Sequence, residues 1–217
     1  MIEQKINELK KTLIEYASLA QGMVEKSIKG LMGKDEDVLN QVIQKDEPRA
    51  NDFEIDVDEK CTTLIVTMQP KAIDLRTILM ILKMNNDLER IADHAVNISQ
   101  SALELIEQPL VKPLIDIPRM ADEVMHMTSD AITSFINGDP VLAKKVCERD
   151  SVVDSLRSQI IRELITYMIS DPSTIERSLH LLNISRNLER IGDLSTNICE
   201  DVIFQVEARV IKHHHEE

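Results

Sequence analysis

Apolar residues along this chain recur at spacings of three and four between short breaks rich in Pro, Gly and Asp, a periodicity that predicts helices and not strands. In the first half the pattern runs from about Ile2 to Met32, resumes after GKDED, stops near Gln69 and Pro70, and resumes again to about Glu107. The second half repeats this layout: Met120 to Ile136, a break at NGDP, Val141 to Ile169, a break at SDPS, and Ile175 to about Val210. Asp139 before Pro140 and Asp171 before Pro172 have the form of N-caps followed by proline at the first helical position. Between the halves, QPLVKPLIDIP holds Pro109, Pro113 and Pro118, too dense for an unbroken helix. The expected fold is all-α: two tandem, internally duplicated three-helix bundles, 1–108 and 119–217, joined by a proline-rich connection at 109–118.

Composition agrees with helix packing on aliphatic side chains. Of 217 residues, 43% are hydrophobic, yet there is no Trp, and only two Tyr and three Phe. A formal charge of −13 argues against nucleic acid or an anionic membrane surface as a partner, and favours cations or basic protein patches. Cys61, Cys147 and Cys199 are widely spaced with no CxxC pair, so buried thiols in a reducing compartment are expected. No apolar run is long enough to cross a membrane and the N-terminus has no signal-peptide pattern, so a soluble cytoplasmic protein is expected. The terminal HHHEE reads as a polar tail and not a metal site.

One acidic phrase occurs twice, as DLERIADHAVNIS from Asp87 to Ser99 and as NLERIGDLSTNIC from Asn187 to Cys199. At 100° per residue, Leu88, Ile91, Ala95, Ile98 and Ala102 share one face, as do Leu188, Ile191, Ile198 and Val202. Glu89, Asp93 and Asn97 fall on another side, matched by Glu189, Asp193 and Asn197. Solvated helix faces usually set Glu against Lys or Arg at i+4. Here both copies set it against Asp, at a cost of roughly 0.2 to 0.5 kcal/mol. Aligning Val38 with Val141 adds Glu47 opposite Asp150 and Asn51 opposite Asp154 on the second helix of each half. Converging acidic pairs would repel by roughly 3 kcal/mol per close contact at an effective dielectric near 20, unless cations intervene.

Oxygen donors in such numbers select hard cations such as iron, manganese, magnesium or calcium, and a carboxylate can bridge two of them. His94 has Leu194 as its counterpart, so it is not expected to be a ligand. The Glu-x-x-His spacing from Glu123 to His126 occurs once, where a di-iron enzyme uses two. Arg90 and Arg190 are expected to pair with the Asp three residues on, and Ala92 and Gly192 to let helices approach closely. No nucleophile triad, Gly-rich phosphate loop or basic recognition helix is present, which favours a binding module over an enzyme. A carboxylate-bridged metal enzyme and a metal-free acidic scaffold are the alternatives.

At LERIADHAVNI and LERIGDLSTNI the chain resembles the PhoU family of phosphate-uptake regulators, and the QPKAIDLR segment and the Asp150–Asp154 spacing extend the likeness. The resemblance implies two similar three-helix bundles with surface metal clusters held by Glu/Asp-x-x-x-Asp motifs. Matching positions are Glu89 and Asp93, Glu189 and Asp193, and Asp150 and Asp154; Glu47 matches in part, and Asn51 departs from the acidic pattern. Pro48 beside Glu47 should kink or rearrange that helix. Asn97, Asn197, Arg90 and Arg190 are expected to support the ligands. Iron in multinuclear clusters is the expected occupant, with manganese, magnesium or zinc as alternatives. The resemblance further implies negative regulation of phosphate uptake and starvation signalling through the phosphate ABC transporter ATPase and a phosphate sensor histidine kinase. That role places the protein at the inner face of the membrane through its partners, and is compatible with a homo-oligomer.

Overall fold

A computed structural model describes residues 2–207, together with 211–212 and 215–216. Helix α1 (Ile2–Gly33) is followed by α2 (Glu36–Gln41), a π-helical turn (Val42–Asp46) and α3 (Glu47–Met68), then by α4 (Ile73–Ile106). The second half comprises α5 (Asp116–Asn137), α6 (Pro140–Ser170), a 3-10 turn (Pro172–Thr174) and α7 (Ile175–Glu207). Two strands, β1 (Ile211–Lys212) and β2 (His215–Glu216), pair antiparallel after α7. Of the tail predicted at HHHEE, His213, His214 and Glu217 lie outside the described residues, as does the predicted end of the last helix at Val210.

The breaks form where their chemistry requires. Asp139 accepts from the amides of Val141 and Leu142, capping α6, and Asp171 accepts from that of Ser173 to start the 3-10 turn leading into α7. Gly138, at φ +60, ends α5 in the left-handed conformation that glycine adopts without steric cost. At Gly30 a Cβ would stand 2.6 Å from the Leu39 side chain, so the absence of one lets α2 fold back against α1. Pro48 has no N–H to give the helix, and the backbone absorbs this by widening into the π turn just before it. The expected rearrangement is therefore a local bulge. Its buried Asp46 is held by Lys26 of α1 at 2.7 Å.

Helices α1, α3 and α4 pack together, as do α5, α6 and α7, and α4 also packs on α7. The core residues of both halves form one continuous cluster. Every residue placed on the apolar face of the repeated phrase is buried to within 1%. Along the α4–α7 seam, Thr77 meets Gln205, Lys83 meets Asp201, His94 meets Asn187 and Ser101 meets Asn183, a falling register that makes the helices antiparallel. The His94 Nδ1–Asn187 Oδ1 distance of 2.8 Å ties His94 to this seam.

Helix α5 starts at Asp116, so Pro118 sits in its first turn, where an N–H is not required. The connection before it is secured by Lys112, only 6% exposed, whose ammonium bonds Asp116 at 2.7 Å and also Glu163 of α6. Cys61 and Cys199 are buried as expected, whereas Cys147 is half-buried and in hydrogen-bond contact with Cys199. Burial pushes the Cys61 thiol up to about 12, keeping it unreactive. Glu123 of the single Glu-x-x-His segment is held by Arg149 at 2.6 Å.

These buried charges can be tested by substitution. Lys112→Ala strands the buried Asp116 carboxylate, and urea denaturation should show a loss of about 3 kcal/mol; a loss under about 1 kcal/mol would mean that the pair is not a staple. Asp87, on the α4 side of the seam, is pushed up to about 6 by burial and then by Asp201, against the opposing effect of Arg90 and Lys83. A carboxyl raised in the fold destabilises progressively as pH climbs from about 4 through 6 and stays destabilising above. The second copy has Asn187 at this position. Asp87→Asn should therefore stabilise the protein on the order of 1 to 2 kcal/mol at pH 8 and leave it nearly unchanged at pH 4, read from thermal melts at both pH values.

Candidate metal centre

Helices α4 and α7 are covered on more than one side, by their own bundle and by each other, and the repeated acidic residues occupy what is left. Glu89 is half-buried, whereas Asp93 and Asn97 are exposed; Glu189 and Asp193 are half-buried and Asn197 is exposed. The stripe thus lies along the border between core and solvent in both copies.

On the first face, Glu89 stands within hydrogen-bonding reach of Asp93, and burial, then Asp93 and Glu54, push its carboxyl above the usual range. Glu54 of α3 is not among the ligands expected from the sequence. Asn85, one turn before Glu89, donates to the Glu54 carbonyl at 2.9 Å and thereby fixes α3 against α4 at this level. The signal for Glu54 in the sequence is its place seven residues after Glu47, two turns further along the same helix face. Tyr16 of α1 is a second unexpected member. Its ring stacks on Phe53 at 5.5 Å, and its hydroxyl is fully buried without a partner among the described residues. Burial, then Glu89, Glu54 and Asp93, raise the phenol far above its ordinary value. Glu47 is half-buried and Asn51 exposed, and the side chain of neither makes a hydrogen bond or ion pair among the described residues. Arg90 forms no ion pair with Asp93 but, as the next residue in the chain, its charge opposes the rise of the Glu89 carboxyl.

The second face is differently charged. Arg157 of α6 lies with Nε 3.1 Å from Glu189 Oε2, and Arg190 pairs with Asp193 at 2.9 Å, as expected for it. The Glu189 carboxyl is raised by burial; Arg157 opposes this, while Asp193 and Asp154 reinforce it. Asp150 reaches across to α7, its Oδ1 lying 3.8 Å from where a Gly192 Cβ would be. The other neighbours of that Cβ stand at 3.6 and 3.9 Å, ordinary contacts, so an alanine fits at 192 and close approach does not demand glycine there. The side chains of Asn97 and Asn197 make no hydrogen bond among the described residues.

The donors on both faces are oxygens, which suits a hard cation, and the orphaned Tyr16 hydroxyl is a further oxygen at the first. Among the described residues no three His, Cys, Asp or Glu side chains stand together as a closed ligand set. The carboxylates that would hold an ion are Glu54, Glu89 and Asp93 on the first face, and Asp150, Asp154, Glu189 and Asp193 on the second.

The PhoU domain family model matches this chain twice, at residues 13–102 and 117–202. A phosphate-specific transport system accessory protein PhoU homolog of Aquifex aeolicus is 38% identical over 212 residues, covering 98% of this chain and 96% of the relative. The accessory protein PhoU of Escherichia coli is 34% identical over 196 residues, covering 88% and 81%. The crystal structure of PhoU from Pseudomonas aeruginosa superposes with a TM-score of 0.92 at 32% identity, covering 96% of this chain and all of the other. With two family domains on duplicated three-helix units and similarity along nearly the whole length, the chain belongs to the PhoU family.

Proposed function

We propose that this protein is a metal-binding negative regulator of phosphate uptake and phosphate-starvation signalling, acting as an adaptor between the phosphate ABC transporter ATPase and a phosphate sensor histidine kinase. Its relatives are named as accessory proteins of phosphate-specific transport, a role that is regulatory and not enzymatic. No helix among the described residues is long and apolar enough to cross a membrane, so a membrane-bound transporter would be reached by docking. The observation that carries the metal reading is the recurrence of Glu-x-x-x-Asp on the matching border of α4 and α7, with a buried, unpartnered phenol beside the first copy.

A bound iron or manganese ion would supply positive charge that organises these acidic faces. The protein's own contribution is to hold half-buried carboxylates beside more accessible ones. Asp93 can meet the ion from solvent, while Glu89 and Glu189 are anchored by packing. An acidic surface neutralised in this way presents a different potential to a partner than a bare one does, which is how metal occupancy would alter docking.

Protein purified without chelator should carry iron or manganese in elemental analysis, and Glu89→Gln with Asp93→Asn should lower the metal content at unchanged helicity. Full metal in that double variant would count against the first face. The raised carboxyls of Glu89 and Glu189 also give a pH test. Without metal, each contributes a destabilisation that is absent below about pH 4 and grows as pH rises through its raised folded value. Cations bind the deprotonated form, so Mn2+ should raise the melting temperature by several degrees at pH 7.5 and by far less at pH 4.5. Equal shifts at the two pH values would show that the ion binds elsewhere. For the adaptor role, the chain should co-elute with a purified phosphate transporter ATPase, and failure to do so with and without metal would refute it.

A further inference from the structure

We infer that the two acidic faces differ in kind: on the first no guanidinium is ion-paired to Glu54, Glu89 or Asp93, so a hard cation meets only carboxylates, whereas the second is closed by its own Arg157, which a cation must displace from Glu189. This rests on the cation-binding reading above and concerns how the two copies divide the work.

The difference emerges from the repeat register. An offset of 103 residues sets the buried Ala50 against Val153, Val57 against Ile160 and Cys61 against Leu164, so α3 and α6 present the same face to α4 and α7. In that register Glu54 stands opposite Arg157. Glu54 is fixed at the level of Glu89 by the Asn85 hydrogen bond, and Arg157 lies 3.1 Å from Glu189. The same structural position thus adds a negative charge to one face and a positive charge to the other.

The remaining groups follow the same division. On the first face Arg90 forms no ion pair with Asp93, while on the second Arg190 holds Asp193 at 2.9 Å. The buried Tyr16 hydroxyl, an unsatisfied oxygen on the first face, has no oxygen counterpart on the second, since α5 contains no tyrosine; there the buried atom without a hydrogen bond is Arg157 Nε, a donor that faces Glu189 at 3.1 Å as an ion pair. The guanidiniums therefore stand in for a cation on the second face, whereas on the first the like charges have no ion-paired guanidinium among them. An ion entering the second face must break existing charge pairs before it gains its own.

A manganese titration followed by the EPR signal of free Mn2+ tests this on the full chain. The wild-type protein should bind in two classes whose affinities differ by about tenfold or more, a difference that follows from a negative charge exchanged for a positive one near the ion. Arg157→Ala should tighten the weak class toward the strong one. Glu54→Arg, which writes the second face into the first, should abolish the strong class, with Glu54→Gln as the milder variant and helicity by circular dichroism as the folding control. Two equal classes in the wild type, unmoved by Arg157→Ala, would overturn the inference while leaving the cation-binding reading intact. No Mn2+ bound by either the wild type or Arg157→Ala would bring down that reading as well.

Discussion

Burial of α4 and α7 on several sides at once is the constraint from which the remaining features follow. Each is the central helix of its own bundle, and each also packs along the other in antiparallel register. So much of their circumference is apolar or seam that polar residues are confined to a narrow strip. Along that strip carboxylates are partly desolvated yet still reachable from water, a condition that raises Glu89 and Glu189. A free-standing helix with the same acids would have solvated them all.

Duplication made the halves alike in packing and left them free to differ in charge. The core positions of α3 and α6 match in register, and the phrases on α4 and α7 match residue for residue at Leu, Glu, Arg, Ile, Asp and Asn. Some departures are small swaps inside the core, such as Ala95 against Ser195 and Ser99 against Cys199; those that change charge lie at the borders: Asp87 against Asn187, His94 against Leu194, Glu54 against Arg157. The first two lie at the seam, where His94 and Asn187 bond each other at 2.8 Å, so the asymmetry joins the two halves directly. The third lies on the acidic faces and sets their electrostatics apart.

Much of this is legible in the sequence because it rests on short-range chemistry. Periodicity marks six long helical segments, and of the two Asp–Pro pairs one marks the start of α6 and the other the 3-10 turn that precedes α7. The four-residue spacing of Glu89 and Asp93 is enough to locate the acidic strip, since it depends only on the pitch of one helix. What the sequence hides depends on contacts between helices. Tyr16 reads as an ordinary core aromatic until its hydroxyl is found without a partner, and Arg157 reads as a solvated cation until α6 is laid against α7. Pro48 announces a disturbance, but not its form, a π turn whose buried Asp46 is paired with Lys26 of α1.

The central claim, that hard cations bind on these faces, is tested most directly by an anomalous difference map at the manganese edge from crystals grown with Mn2+. A strong peak is predicted among Glu54, Glu89 and Asp93, with a weaker one, or none, beside Glu189 and Asp193. Peaks absent from both faces, with the carboxylates turned to solvent, would contradict it.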